Sequence, residues 1–179
     1  GSCVACDSGT YKTTSGTEAC RSCPAGTFSS TAAATSIDTC QACAAGKYAP
    51  TTGNDKEGAC VACGRGKYSA SEGASSESTC QECAAGKYLD TEGSDAESDC
   101  ISCEAGMFAT TAGATSFDTC QACGAGKYAS TTGNNKEGDC VACGSGKYST
   151  SEGASRESIC EECPANSASP AASSALSDC

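Results

Sequence analysis

The sequence predicts a small disulfide-rich fold: an elongated, solenoid-like rod of nine repeats of about 20 residues, built from short β-hairpins and turns without a large hydrophobic core. Three observations predict it. First, nine CxxC pairs recur along the chain, with first cysteines at Cys3, Cys20, Cys40, Cys60, Cys80, Cys100, Cys120, Cys140 and Cys160, and Cys179 closes the array. Second, 179 residues carry 19 cysteines, no Trp and few Leu, Ile, Val, Met or Phe. A domain of that length ordinarily buries much of its chain around one apolar centre; cysteine above roughly 8–10% marks a disulfide scaffold in an oxidising compartment. Third, every pair but the last is followed at fixed distance by a glycine and then an aromatic.

Each loop reads in the same order. The first glycine recurs as Gly9, Gly26, Gly46, Gly66, Gly86, Gly106, Gly126 and Gly146, and the aromatic two residues on as Tyr11, Phe28, Tyr48, Tyr68, Tyr88, Phe108, Tyr128 and Tyr148. A second glycine marks Gly16, Gly53, Gly73, Gly93, Gly113, Gly133 and Gly153. Small polar residues fill the rest, and no helical period survives such spacing. The pattern predicts a short strand at each Lys-Tyr, a turn at the second glycine and a return to the next cysteine. The first glycine is expected in the left-handed backbone region, which most side chains resist. In the last repeat Asn166 takes its place, and Asn is the usual non-glycine occupant of that region. The aromatics are expected to pack on the adjacent disulfide and glycine. Lys47, Lys67, Lys87, Lys127 and Lys147 are expected beside acidic residues of a neighbouring turn.

Three segments follow: a shortened first repeat, 1–19, a four-repeat block, 20–99, and a duplicated block, 100–179, whose last repeat, 160–179, is atypical. CQACAAGKYAPTTGNDKEGA from Cys40 matches CQACGAGKYASTTGNNKEGD from Cys120 at 16 of 20 positions. This second period reads as duplication of a block, or as every fourth repeat facing the same neighbour. The last repeat replaces glycine and tyrosine by Asn166 and Ala168 and adds Pro164 and Pro170. Atypical terminal repeats commonly act as caps.

Three chemistries compete for the cysteines. Redox pairs of thioredoxin type need a βαβ scaffold and a helix N-terminus to lower a thiol pKa, which these glycine- and serine-rich loops do not offer. Quartets such as Cys40, Cys43, Cys60 and Cys63 fall within four-cysteine zinc spacing, but nearly every gap is alike and 19 cysteines leave a remainder. Disulfides are the third reading. Sequence alone cannot fix their connectivity. A crossed scheme joining Cys43 to Cys63 needs a 40-residue period, so the 20-residue unit favours a forward ladder. Its bonds are Cys6–Cys20, Cys23–Cys40, Cys43–Cys60, Cys63–Cys80, Cys83–Cys100, Cys103–Cys120, Cys123–Cys140, Cys143–Cys160 and Cys163–Cys179. Cys3 is then unpaired within the chain and expects a partner upstream, in more of the same array.

The net charge of −11, with 22 acidic and 11 basic residues and no histidine, offers no footprint for nucleic acid. No segment reads as a signal peptide, and no apolar run approaches the ~18 residues of a membrane span. No catalytic site, cofactor or metal is expected: histidine is absent, no phosphate-cradling loop is present, and carboxylates such as Glu82, Asp90 and Glu97 are scattered rather than set out as a general acid–base site. Asp95, Glu97 and Asp99 are the nearest approach to a calcium cluster, without an EF-hand pattern. Ser and Thr form about a quarter of the chain, so O-glycans are expected; Asn54, Asn134, Asn135 and Asn166 all fail the N-glycan sequon.

The pattern C-x-x-C-x-x-G-x-[YF], a polar loop, a glycine and another C-x-x-C resembles the ephrin-receptor-like cysteine-rich repeat. It is also similar to the first, single-loop module of tumour necrosis factor receptor ectodomains. CEECPANSASPAASSALSDC resembles the closing loop of the ephrin-receptor version. In those families the second cysteine of each pair bonds forward across the Gly-aromatic loop, so the resemblance also implies the ladder above. Long regular arrays of this type resemble proteins of protist exteriors, including surface coats, immobilisation-type surface antigens and flagellar hairs (mastigonemes). The expectation is a non-catalytic structural protein of an extracellular fibre or cell-surface coat, partnered by itself or by other fibre proteins. A ligand-binding receptor, adhesin or surface antigen is the alternative, and zinc-binding repeats a minor one.

Overall fold

A computed structural model describes residues 4–179, so Cys3 lies outside the described residues. The fold is small and disulfide-rich: two-residue strands pair into eight two-stranded sheets, eight short 3-10 turns intervene, and the described residues contain neither an α-helix nor a closed sheet. None of its helices is long and apolar enough to cross a membrane among the described residues. The chain divides into two compact units, residues 1–81 with 91–99, and residues 82–90 with 100–179.

Each hairpin begins where the sequence places an aromatic. In the first unit Lys47–Tyr48 pairs antiparallel with Val61–Ala62, in register Lys47↔Ala62 and Tyr48↔Val61. In the second, Lys127–Tyr128 pairs with Val141–Ala142 in the same register. Aromatic and β-branched residues favour the pleated surface, but two residues per strand do not hold a hairpin together in water. The closure comes from the disulfides flanking it. Cys43–Cys60 and Cys123–Cys140 bracket these two hairpins, each with Cα atoms 5.7 Å apart, within the relaxed range for such a bond.

After the aromatic the chain turns at the second glycine, with Gly53 at φ 74° and Gly133 at φ 71°. It then tightens into a 3-10 turn such as Glu57–Ala59, and the Cys60 N–H closes that turn on the Glu57 carbonyl at 2.8 Å. Two of these turns are capped by a serine hydroxyl: Ser36 Oγ accepts from Asp38 N–H and Ser76 Oγ from Ser78 N–H, both at 3.2 Å. Lys47 and Lys127 meet Glu57 and Glu137 of their own loop, ten residues on, at 3.1 and 2.9 Å. The expected acidic partner of a neighbouring turn is thus replaced by one inside the loop, because the turn folds the chain back beside the strand. These carboxylates are exposed, so each pair contributes about 0–1 kcal/mol.

The core of each unit is built mainly of sulfur and small side chains. The second cysteines Cys23, Cys43 and Cys63 of the first unit, and Cys83, Cys103 and Cys123 of the second, are wholly buried. Beside them lies the residue that follows each aromatic from Phe28 on: Ser29, Ala49 and Ser69 in one unit, Leu89, Ala109, Ala129 and Ser149 in the other. All but Leu89 are small, which lets successive loops approach closely.

Candidate functional site

The geometry that organises this chain is the junction between loops. The Tyr48 strand lies between two segments of the next loop, antiparallel to Val61 and in a parallel bridge with Ala74. Four further backbone bonds join the same two loops: Gly46 N–H to Ser69 O at 2.7 Å, Ala49 N–H to Ala74 O at 2.9 Å, and Cys63 N–H to Gly46 O and Gly73 N–H to Cys43 O, both at 2.8 Å. The second unit repeats the pattern, with Gly106 N–H to Ala129 O, Cys123 N–H to Gly106 O and Gly133 N–H to Cys103 O at 2.8–2.9 Å. Backbone groups carry these contacts, so loops of differing side chains stack alike.

The two glycines of a loop serve different purposes. Gly46 and Gly106 hold φ +78° and +88°, and a Cβ on either would run into the carbonyl of Gly93 or Gly153, the second glycine two loops further on. Three successive loops therefore meet at the first glycine. The second glycine has an equally positive φ but more room: the nearest atom to a Cβ on Gly153 is the Ala122 Cβ at 3.6 Å. Alanine occupies that place at Ala33 and Ala172, with φ 54° and 65°. Hence contact demands glycine at Gly46 and Gly106, whereas at Gly153 the demand comes chiefly from backbone conformation.

The aromatics lie across the junction. Phe28 packs against Cys43, Ala49 and Cys60, and Phe108 against Cys123, Ala129 and Cys140, so each ring covers the disulfide of the following loop. Tyr88, with Met107, does the same to Cys103 and Cys120, and its ring meets Phe117 edge-on at 6.0 Å. The hydroxyl of Tyr148 donates to Glu161 Oε2 at 2.8 Å. That bond, with some desolvation and the carboxylate charge, raises the Tyr148 pKa above its ordinary value.

One side chain escaped the sequence reading. Asn54 and Asn134, 80 residues apart, are buried, and each Nδ2 spans two loops: Asn134 donates to Met107 O at 3.0 Å and to Thr131 O at 2.7 Å. Their recurrence in the duplicated blocks was the available signal. Asn134→Ala is expected to lower stability by roughly 1–2 kcal/mol, since the amide's bonds to the Met107 and Thr131 carbonyls and the one it accepts from Thr131 Oγ1 are lost. Alanine already occupies this position at Ala114 and Ala154, so the cost is polar rather than steric. Guanidinium unfolding with the disulfides intact checks it, and an unchanged midpoint refutes it.

The structure closes Cys6–Cys20, Cys23–Cys40, Cys43–Cys60 and Cys63–Cys80 in the first unit, and Cys83–Cys100, Cys103–Cys120, Cys123–Cys140, Cys143–Cys160 and Cys163–Cys179 in the second. These sulfurs carry no thiolate for zinc. Among the described residues no group of three or more acidic, histidine or cysteine side chains is placed to hold a metal ion. A groove of about 350 Å³ runs beside the first loop, lined by Val4, Ala5, Lys12, Ala33 and Ala34 among others. Its only charged side chain, Lys12, donates to the Val4 and Gly16 carbonyls at 3.0 and 3.1 Å.

Repeated hairpins, forward disulfides and backbone junctions define an extracellular disulfide-rich repeat module, since such cross-links persist in oxidising surroundings. A family model described as tyrosine-protein kinase ephrin type A/B receptor-like matches residues 1–40, 37–80 and 51–100, more than half of the chain, and the chain belongs to this ephrin-receptor-like family. No individual curated protein matches it.

Proposed function

We propose that the chain is a non-catalytic structural element of an extracellular fibre or cell-surface coat, in which copies or related fibre proteins associate through their repeats. The observation that carries this reading is the recurrence of exposed apolar side chains at fixed places, one of them on every second loop. Val61 in the first unit, and Ile101 and Val141 in the second, recur at 40-residue intervals as half-exposed apolar side chains at one loop position. Ile37, Phe117 and Leu176, each three residues before the cysteine that closes its loop, are also half-exposed. No described loop carries an insertion of the kind that gives a receptor a unique ligand-binding face. Regular exposed apolar positions on a stiff covalent scaffold suit association with like surfaces.

Sedimentation and negative-stain microscopy of the oxidised chain over rising concentration test the reading. Reversible association into filaments or sheets is expected, weakened by replacing Val61, Ile101 and Val141 with Ser. A chain that stays monomeric and binds a defined ligand saturably would support the receptor or adhesin alternative instead.

A further inference from the structure

The junction geometry has a counterpart at the last loop. In the interior of the second unit, the space beside each first glycine is taken by a carbonyl two loops on: Gly133 beside Gly86, Gly153 beside Gly106, and Ala172 beside Gly126. The same holds in the first unit for Gly53 beside Gly9, Gly73 beside Gly26, and Gly93 beside Gly46. A Cβ at any of these glycines falls on backbone, which has no rotamer with which to yield.

At the last loop this position is Asn166, and the turn around it keeps its backbone bonds. Asn166 keeps the left-handed conformation, φ 67°. Ser167 N–H closes the turn on Pro164 O at 3.1 Å, as Lys147 N–H does on Gly144 O at 3.1 Å. Cys163 N–H reaches Gly146 O at 2.9 Å, as Cys143 N–H reaches Gly126 O at 2.8 Å. The backbone thus docks on the preceding loop like every other, while a side chain stands where a later loop would enter. Two residues on, Ala168 replaces the aromatic that elsewhere covers the next disulfide, and it is exposed.

We propose that Asn166 and Ala168 form a stop that ends the stack at this loop. The Asn166 Cβ excludes the second following loop, and the absent ring at 168 removes the apolar contact that would hold the first. This face refuses a further loop of the same kind, whether it continues the chain or belongs to another copy. Copies then join along their flanks or through other surfaces, not by extending the stack across Asn166. The inference rests on the junction geometry and stands apart from the fibre reading.

The test lengthens the full chain beyond Cys179 with a second copy of residues 121–179, which keeps the cysteine frame. Amide hydrogen exchange is then read at residues 166 and 169, whose counterparts Gly126 and Ala129 donate to Ser149 O and Ala154 O across a junction. With Asn166 and Ala168 in place, these amides are expected to exchange as fast as in the unextended chain. With Asn166→Gly and Ala168→Tyr together, they are expected to slow at least tenfold. Equal protection in both extended chains overturns the proposal, and so does fast exchange in both. A second variant works inside the natural chain: Gly126→Asn is expected to speed exchange at least tenfold at Ala172 N–H, which is held by Cys143 O at 2.9 Å. Unchanged protection there also overturns it.

Discussion

Reduction of the disulfides is expected to abolish the fold along the whole chain. The bonds from Cys23–Cys40 to Cys143–Cys160 each span 17 residues, and Cys6–Cys20 and Cys163–Cys179 span 14 and 16. Loops of that length contribute about 3 kcal/mol each by restricting the unfolded chain. An ordinary domain is stable by only about 5–15 kcal/mol in total, so losing a few bridges removes a margin of that size. Little else replaces them. Among the described residues Leu89 is the one large aliphatic side chain that is buried; cysteine, alanine, serine, Asn54, Asn134 and the aromatic rings make up the rest of the core. Full reduction with a phosphine should therefore leave every hairpin amide exchanging at the rate of an unfolded peptide. Removing one bridge, as in Cys103→Ser with Cys120→Ser, should cost roughly 2–5 kcal/mol and expose first the Phe108 ring, which packs on the neighbouring Cys123–Cys140. A reduced chain that kept protected amides would mean that backbone junctions alone carry the fold.

The hairpins are legible in the sequence because each needs the same few residues at the same spacing. A Tyr or Phe sits at the strand, glycine at the turn, and a cysteine on either side. The left-handed first glycine was legible from Asn166, since substitution by Asn reports backbone conformation. What the period does not report is which loop touches which. A self-similar sequence is equally compatible with contacts to the next loop alone and with the observed reach of Gly46 to Gly93, two loops away. The buried position after the aromatic was hidden too, because Ser29, Ala49 and Leu89 share burial and closeness to sulfur rather than hydropathy. Asn54 read as a failed glycosylation site, whereas its amide joins two loops. In each case the missing information was a contact between loops, which leaves no pattern within one.

The substitution with the largest expected effect of any single residue is Gly106→Val. Gly106 lies at φ +88°, and its Cβ would meet the carbonyl of Gly153 and the backbone of Ala154. An ordinary L-residue held in the left-handed region costs about 1–2 kcal/mol, and a β-branched one is a genuine outlier there. The contact adds to this. Gly153 is fixed by its own N–H on Cys123 O at 2.8 Å, and Gly106 by bonds to Ala129 and Cys123, so relief requires the three loops to part and give up those bonds. A loss exceeding about 3 kcal/mol is expected, comparable with overpacking a rigid core. Gly153→Ala separates the two contributions. It too has a positive φ, +66°, but its Cβ makes only ordinary contacts, with the Ala122 Cβ at 3.6 Å and the Gly106 carbonyl oxygen at 4.0 Å, so it should cost no more than the conformational share, about 1–2 kcal/mol. Guanidinium unfolding of both variants with the disulfides intact reads the difference. Equal losses would mean that backbone conformation alone demands glycine at 106, and that contact two loops away contributes nothing to holding the array together.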